Sequence, residues 1–280
     1  MNFIIFVITI LSVTLAIDVT ADEKLRVVSL TPIITEIISE LDQEEVLVGK
    51  TAFCALKNKN LEVPSVGSYL DTSIEGIFSL KPDIVLLSKE QGATAAKLAK
   101  LGIKSIKISN QTIEGINQAI ITIANALNVS ERGVELVSSK KQQVESIKKL
   151  CNDKNKAKRA IFIFDEGNNE SRKKYFIASQ SSFFTEIMKM SELENLFKSD
   201  HEYAEVSIEG IYSLKPEIIF LVTETKEPEK TLSFLTDVLN LGENQKIVLL
   251  PKEPTVFPGP RYPEILKSFA CNSNYDIESK

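Results

Sequence analysis

Short apolar runs alternate with longer stretches of helical period along most of the chain. Residues 84–87 and 218–222 are apolar at every position, which is typical of parallel strands buried on both faces. Residues 94–101 and 231–239 instead space their apolar side chains three or four positions apart, as amphipathic helices do. This alternation, with short connections, predicts an α/β fold built on doubly wound parallel sheets.

One segment of the chain occurs twice. Residues 73–84 (SIEGIFSLKPDI) return as residues 207–218 (SIEGIYSLKPEI), with ten of twelve positions identical. In each copy a Ser is a good helix cap and a Pro ends the helix before the next strand. Two copies so far apart indicate two similar lobes, because repeat arrays have periods of roughly 20 to 50 residues. A cleft between such lobes is a common place for a ligand.

Two stretches of helical period lie between the copies, residues 113–127 and 131–149. The second is rich in Lys, Gln and Glu, so we expect a rigid helix of about 20 residues, roughly 30 Å long, rather than a flexible linker. The predicted division is an N-terminal lobe over residues 22–128, a linking helix over residues 129–155 and a C-terminal lobe over residues 156–280.

The start of the chain predicts export. Residues 3–17 are apolar apart from three Ser and Thr positions. This run has the length of a signal-peptide core and is shorter than the ~20 residues of a membrane-spanning helix. Small residues at 19–21 then precede the charged Asp22, so we predict a signal peptide over residues 1–21 and a soluble, exported mature chain. An uncleaved anchor is the alternative, because no Lys or Arg precedes the apolar run.

The net charge and the few cysteines and histidines exclude several classes of function. A net charge of −5 without a basic run argues against a nucleic-acid partner. Three cysteines without a CxxC motif form neither a zinc framework nor a disulfide-dense scaffold. In an oxidising compartment we expect one bridge, between Cys151 and Cys271, with Cys54 left over. His201 is the only histidine, which excludes a His-rich site for free zinc or manganese.

Several motifs, in order, resemble the substrate-binding proteins of ABC importers for cobalamin, ferric siderophores and haem. They are RVVSLTPIITEIISEL, VGKTAFC, VPSVGSY, IEGIFSLKPDIVLL and FPGPRYPEILKSFA. The resemblance implies two Rossmann-like lobes bridged by one long helix, with the ligand between them. It also implies a periplasmic, monomeric receptor without a cofactor of its own. Such a receptor binds a metal chelate, either cobalamin or a ferric siderophore or, alternatively, haem, and delivers it to an ABC permease dimer.

The same resemblance assigns roles to two acids. Glu75 and Glu209 occupy the second helical position of the two repeats. In the family, one such Glu per lobe docks onto basic residues of the membrane permease. Two equivalent carboxylates suit a two-fold partner, since its subunits repeat their basic patches. The alternative is that each acid only favours the dipole of its own helix.

The resemblance also points to ligand-binding residues. Tyr69 and Tyr203 each lie six residues before the repeated Glu, where loops of a doubly wound sheet form the crevice. Their rings suit a flat macrocycle or aryl chelate, although each is alternatively a loop aromatic packed on its own lobe. Arg261 resembles a cleft-facing cation for an anionic group, with a surface Arg as the alternative. Thr31 and Pro32, at the first strand-to-helix turn, are further candidates.

A periplasmic α/β enzyme is the rival class. The sequence contains no G-x-S-x-G elbow, no P-loop and no G-x-G-x-x-G fingerprint. Its single histidine also limits triad chemistry. We therefore expect a binding protein rather than an enzyme.

Overall fold

The computed structural model describes residues 24–151, 158–166, 174–242, 244–255 and 258–271. The predicted signal peptide, residues 1–21, lies outside these ranges. Within them, no helix combines the length and the apolarity needed to cross a bilayer.

The first sheet contains four parallel strands in the order β2-β1-β3-β4. Its strands are β1 (Val27–Ser29), β2 (Leu47–Lys50), β3 (Ile84–Ser88) and β4 (Ser105–Ile108). The connecting helices are α1 (Pro32–Glu40), α2 (Ile74–Ser79) and α3 (Gly92–Lys100), with a short 3₁₀ turn over Glu44–Val46. The order reverses at β1, which makes the sheet doubly wound, as the sequence predicts.

Two helices lead away from this sheet, α4 (Ile113–Ala126) and α5 (Ser130–Leu150). The expected long middle helix is α5, with 21 residues, and it packs on α4 and on a later helix, Tyr262–Cys271. Gly133 permits the close α4–α5 contact, because a Cβ there would lie 2.5 Å from the Cβ of Ala124. The helix is therefore held along its length rather than standing free.

The second sheet has the order β10-β9-β5-β6-β8, and β7 also pairs with β5. Its strands are β5 (Lys158–Asp165), β6 (Lys174–Ala178), β7 (Leu193–Asn195), β8 (Tyr203–Ser207), β9 (Ile218–Thr223) and β10 (Lys246–Leu249). Its helices are α6 (Phe183–Met190), α7 (Ile208–Leu214), α8 (Pro228–Val238), α9 (Lys252–Thr255) and α10 (Tyr262–Cys271).

The predicted parallel pairing holds for the whole first sheet and for β10-β9-β5, but not for β6. Strand β6 runs antiparallel to both β5 and β8. The reason is the short connection from β5 to β6, since a parallel crossover needs a dozen or more residues. The second lobe is therefore a mixed α/β unit.

One apolar core joins both halves of the molecule. It includes Leu86 of the first sheet, Ile120 of α4, Phe220 of the second sheet and Phe269 of α10. Two smaller clusters cover the outer faces of the sheets, beneath α2 and α7. The repeated helices thus lie outside the shared core, each on its own lobe.

The cysteines follow the prediction from the sequence. Cys151, at the end of α5, forms a disulfide with Cys271, at the end of α10, and the two Cα atoms are 5.0 Å apart. Cys54 is a buried free thiol. The disulfide closes a loop of 120 residues, so it restricts the unfolded chain strongly.

Candidate ligand-binding site

The two repeated helices are built in the same way. Ser73 Oγ accepts a hydrogen bond from the Gly76 N–H at 3.0 Å and caps α2. In α7, Ser207 Oγ accepts from the Gly210 N–H at 3.3 Å. These caps fix the start of each helix, so Glu75 and its counterpart Glu209 stand exposed in the first turn.

An arginine holds the far end of each repeated helix. The Arg26 guanidinium donates to the carbonyl at the end of α2 at 2.7 Å, and its backbone N–H donates to the Asp83 carboxylate at 2.8 Å. Arg159 repeats both contacts in the second lobe, at 3.1 Å to the end of α7 and at 2.9 Å to Glu217. The two helices therefore have the same orientation on their own sheets.

A groove of about 680 Å³ lies where the two halves meet. Its walls include Pro32 of α1 and Phe53 from the first half, Lys140 of α5, and Arg261 and Glu253 from the second half. The sequence predicts Pro32 and Arg261 as ligand-binding residues, and the structure brings these two together in one groove.

Arg261 spans this groove. Its Nε donates to the Glu36 carboxylate on α1, and its Nη2 donates to Glu253 Oε2 at 2.8 Å. Burial raises the pKa of Glu36 and outweighs the opposing effect of Arg261. Burial lowers the pKa of Arg261, but Glu36 and Glu253 outweigh it and raise that pKa overall. An anionic ligand that binds Arg261 therefore has to compete with two carboxylates.

A second pocket, of about 360 Å³, lies on the second lobe and is mainly aromatic. Its lining includes five rings, which are Phe162, Phe164, Phe176, Phe184 and Tyr203. Phe162 and Phe164 alternate along β5, so they share one face of the sheet. Phe176 lies opposite Phe164 on β6 and continues the same face. The rings make a surface suited to the flat face of a macrocycle or aryl group.

Tyr203 stands at the edge of this aromatic pocket and is 39% exposed. Burial, and then the charge of Glu202, raises the pKa of Tyr203 to about 12. The side chain is therefore a neutral phenol at physiological pH.

Tyr69 and Thr31 are placed differently from the other candidates. The Tyr69 hydroxyl lies 3.1 Å from Ser88 Oγ at the end of β3, and the ring lines neither of the two pockets. Its loop turns at Gly67, whose φ of 105° and close approach to the Asp71 carbonyl need a glycine. Thr31 is buried and caps α1 through its hydroxyl.

Several residues of these surfaces were not found from the sequence. Phe53 is 73% exposed in the groove, and the VGKTAFC motif that contains it gives it no role by itself. Phe176 was missed because β6 was not recognised as a strand. Glu36 meets Arg261 across 225 residues, a contact without any local signal. Among the described residues, no group of three or more His, Cys, Asp or Glu side chains is arranged to hold a metal ion.

Comparison with known proteins places this architecture in a family. The sequence profile described as "Periplasmic binding protein" matches residues 27–239, which is most of the chain. The chain belongs to the periplasmic binding protein family. This match spans both repeats and most of each sheet.

Curated relatives give a more specific but partial likeness. The chain is 28% identical over 169 residues to the Fe(3+)-citrate-binding protein YfmC of Bacillus subtilis, covering 59% of this chain and 51% of that protein. It thus spans about half the length of this relative. It is 25% identical over 206 residues to the high-affinity heme uptake system protein IsdE of Staphylococcus aureus, covering 71% of this chain and 67% of that protein.

Solved structures share the fold. The periplasmic vitamin B12 binding protein BtuF of Vibrio cholerae superposes with a TM-score of 0.74 at 22% sequence identity. The superposition covers 88% of this chain and 94% of that one. The two-lobed arrangement is therefore that of periplasmic binding proteins, as the sequence predicts.

Proposed function

We propose that this protein is an exported receptor that binds a metal chelate, cobalamin or a ferric siderophore, between its two lobes. It delivers the chelate to the permease dimer of an ABC importer. The observation that carries the proposal is the groove that both halves line, within a chain that belongs to the periplasmic binding protein family. Two relatives are named for binding ferric citrate and for heme uptake, which supports a metal chelate as the transported ligand.

The chemistry of the two surfaces supports a bulky, partly apolar ligand. The aromatic pocket buries flat rings at little entropic cost. The groove offers a guanidinium, Arg261, which pairs well with a carboxylate, phosphate or catecholate. We propose Tyr69, Tyr203, Arg261, Thr31 and Pro32 as ligand-binding residues. Thr31 acts by fixing the start of α1, because its hydroxyl already caps that helix.

A haem receptor is the second candidate. The likeness to the heme uptake protein extends over 206 residues, and the aromatic pocket suits a porphyrin. In a haem complex, Tyr203 would offer the porphyrin its ring as part of this aromatic surface.

The remaining parts of the proposal concern partners, place and catalysis. We propose export after cleavage near residue 21, a monomeric receptor without nucleic-acid partners, and docking to the permease through Glu75 and Glu209. We also propose that the N-terminal lobe ends at residue 128 and the C-terminal lobe begins at residue 156, with α5 in the linking segment between them. We also propose that the receptor has no catalytic role, which is supported by its membership of a family of binding proteins.

A binding screen tests the proposal directly. The mature chain, residues 22–280, is mixed with hydroxocobalamin, haemin, ferric citrate or a ferric catecholate, and binding is measured by calorimetry and visible absorbance. We expect one-to-one binding of one class of chelate. Absence of binding to all four probes would contradict the proposed function.

Two variants then test the proposed role of Arg261. Arg261→Ala should weaken an anionic chelate about tenfold or more, because the ligand loses a charge-assisted hydrogen bond. Arg261→Lys keeps the charge but loses the planar fork, so its loss should be smaller. Unchanged affinity in both variants would remove Arg261 from the proposed site.

A further inference from the structure

Each repeated helix exposes an aromatic ring beside its glutamate. Phe78 on α2 and Tyr212 on α7 are 57% and 56% exposed. They occupy the same position in the two copies, three residues after Glu75 and Glu209. Side chains three apart on a helix are neighbours, so each acid and each ring share one outer face. We call Glu75 with Phe78, and Glu209 with Tyr212, the two docking patches.

The two docking patches have the same geometry on their lobes. Ile77 and Ile211 anchor the opposite sides of the helices and are fully buried. Arg26 and Arg159 hold the ends of these helices through equivalent hydrogen bonds. Folding explains why these buried and tethering residues are repeated. It does not explain two large rings that remain more than half exposed at matching positions.

The two lobes carry these patches on a joined frame. One apolar core runs through both halves, and α5 is tied to α10 by the disulfide between Cys151 and Cys271. A frame of this kind limits changes in the separation of the patches. Two sites at a set separation favour simultaneous binding by a partner with two equal surfaces, because the second contact is then intramolecular.

We propose that Phe78 and Tyr212 are apolar anchors of the two docking patches, and that each patch receives one subunit of a two-fold symmetric permease dimer. A two-fold dimer presents the same surface twice, which matches the duplication of ring and acid. Exposed aromatic rings commonly carry much of the binding energy in protein interfaces, while neighbouring charges set orientation. This inference rests on the proposed function and adds the rings to its docking surface.

Substitution of the rings measures their contribution. The affinity of the mature protein is measured for importer permease dimers from its native host, each reconstituted in lipid nanodiscs. Phe78→Ala and Tyr212→Ala should each weaken binding about tenfold, and the double variant about a hundredfold. Chelate affinity should stay unchanged in all three. Phe234→Ala is the matched control, because Phe234 is 51% exposed on α8 and lies outside the patches.

Photo-crosslinking tests the symmetry of the partner. Phe78 and Tyr212 are replaced, one at a time, by benzoylphenylalanine, and the crosslinked peptides are identified by mass spectrometry. We expect both positions to crosslink to the same peptide of the permease sequence, because each lobe meets the equivalent surface of a different subunit of the dimer. Crosslinks to unrelated peptides would overturn the inference.

The outcomes separate this inference from the proposed function. If the wild-type protein binds a permease and the double Ala variant binds within about twofold of it, the rings are not anchors and only the inference fails. If the wild-type protein binds a chelate but no permease dimer, the inference fails while chelate binding stands. If it binds neither, the proposed function and the inference both fail.

Discussion

The two repeated segments, residues 73–84 and 207–218, have one local structure in two different surroundings. Each begins with a capping Ser, and a Lys in the left-handed region follows each helix, with φ of 45° at Lys81 and 49° at Lys215. The first copy is reached through a loop in which Gly67 pairs with Thr72. The second copy is reached through strand β8, which pairs with β6.

This difference decides what the two tyrosines do. Tyr69 lies in the loop and its hydroxyl contacts Ser88. Tyr203 begins a strand and lines the same pocket as four Phe rings. Both are six residues before the repeated Glu, so equal positions in the chain acquire unequal chemistry. Duplication therefore fixes the scaffold of each lobe, while the segment that leads into the repeated helix shapes the surface proposed to bind the ligand.

The largest expected effect tests whether the two scaffolds are energetically equivalent. Ile77→Ala and Ile211→Ala each remove a fully buried side chain beneath a repeated helix. Each should lower the free energy of unfolding by about 2–5 kcal/mol, since the cavity adds to the lost burial. Urea unfolding followed by circular dichroism measures both. A loss of less than about 1 kcal/mol in either variant would contradict the energetic equivalence of the two scaffolds.

A second prediction concerns the two ligand faces. Tyr203→Ala should weaken chelate binding about ten- to a hundredfold, because it opens the aromatic pocket. Tyr69→Ala should weaken it less, by about three- to tenfold, because Tyr69 lines neither pocket. Calorimetry with the chelate found in the screen checks both values. Equal losses would show that the two tyrosines contribute alike to ligand binding and would contradict the predicted difference between the lobes.

Replacing the two lysines that have positive φ should change the free energy of unfolding by a smaller amount and in the opposite direction. Lys81→Gly and Lys215→Gly should each stabilise the protein by about 0.5–1 kcal/mol, because Gly adopts this conformation without steric cost. The matched control is Lys97→Gly within α3, which should destabilise by about 1 kcal/mol. Thermal unfolding checks all three variants. A stabilised Lys81→Gly beside a destabilised Lys215→Gly would reveal that the two turns differ.

The smallest expected effect is a pH dependence of protein stability that arises from Glu36, whose contact with Arg261 joins the two halves. Burial raises the pKa of Glu36 above its ordinary value of 4.5. The folded state then binds the proton more tightly than the unfolded state, so Glu36 contributes more stability as the pH falls through its raised pKa. Relative to Glu36→Gln, the wild-type protein should gain free energy of unfolding as the pH falls from 7 toward 4.

A carboxylate inside one lobe supplies the matched control. Burial opposes ionisation of Glu44, but hydrogen bonds from Ser39, Lys57 and Asn58 lower its pKa overall. Its stability contribution is present above the ordinary pKa and is lost as the pH falls. Relative to Glu44→Gln, the wild-type protein should therefore lose stability on acidification. Slopes of the same sign for both pairs, measured by urea unfolding, would refute the assignment.

The sequence by itself determined the helix caps, the long helix and the buried parallel strands of this protein. The caps at Ser73 and Ser207, the long helix α5 and the parallel strands β3 and β9 depend on contacts within a few residues or on the period of apolar positions. The duplication was visible for the same reason, because each copy carries its own start and stop signals. The signal peptide and lobe boundaries stay predictions.

Only the tertiary structure decided the two surfaces that are proposed to bind the ligand. The contact of Arg261 with Glu36 joins residues 225 apart, and no local pattern encodes such a distance. The aromatic pocket depends on β6 running antiparallel between β5 and β8, and neither β6 nor β8 was predicted. Short strands near a sheet edge have weak periodicity, and their pairing is set by packing against neighbours rather than by propensity. The helices and strands of the scaffold could therefore be predicted from local sequence. The proposed site could not, because it forms only where segments distant in the chain come together.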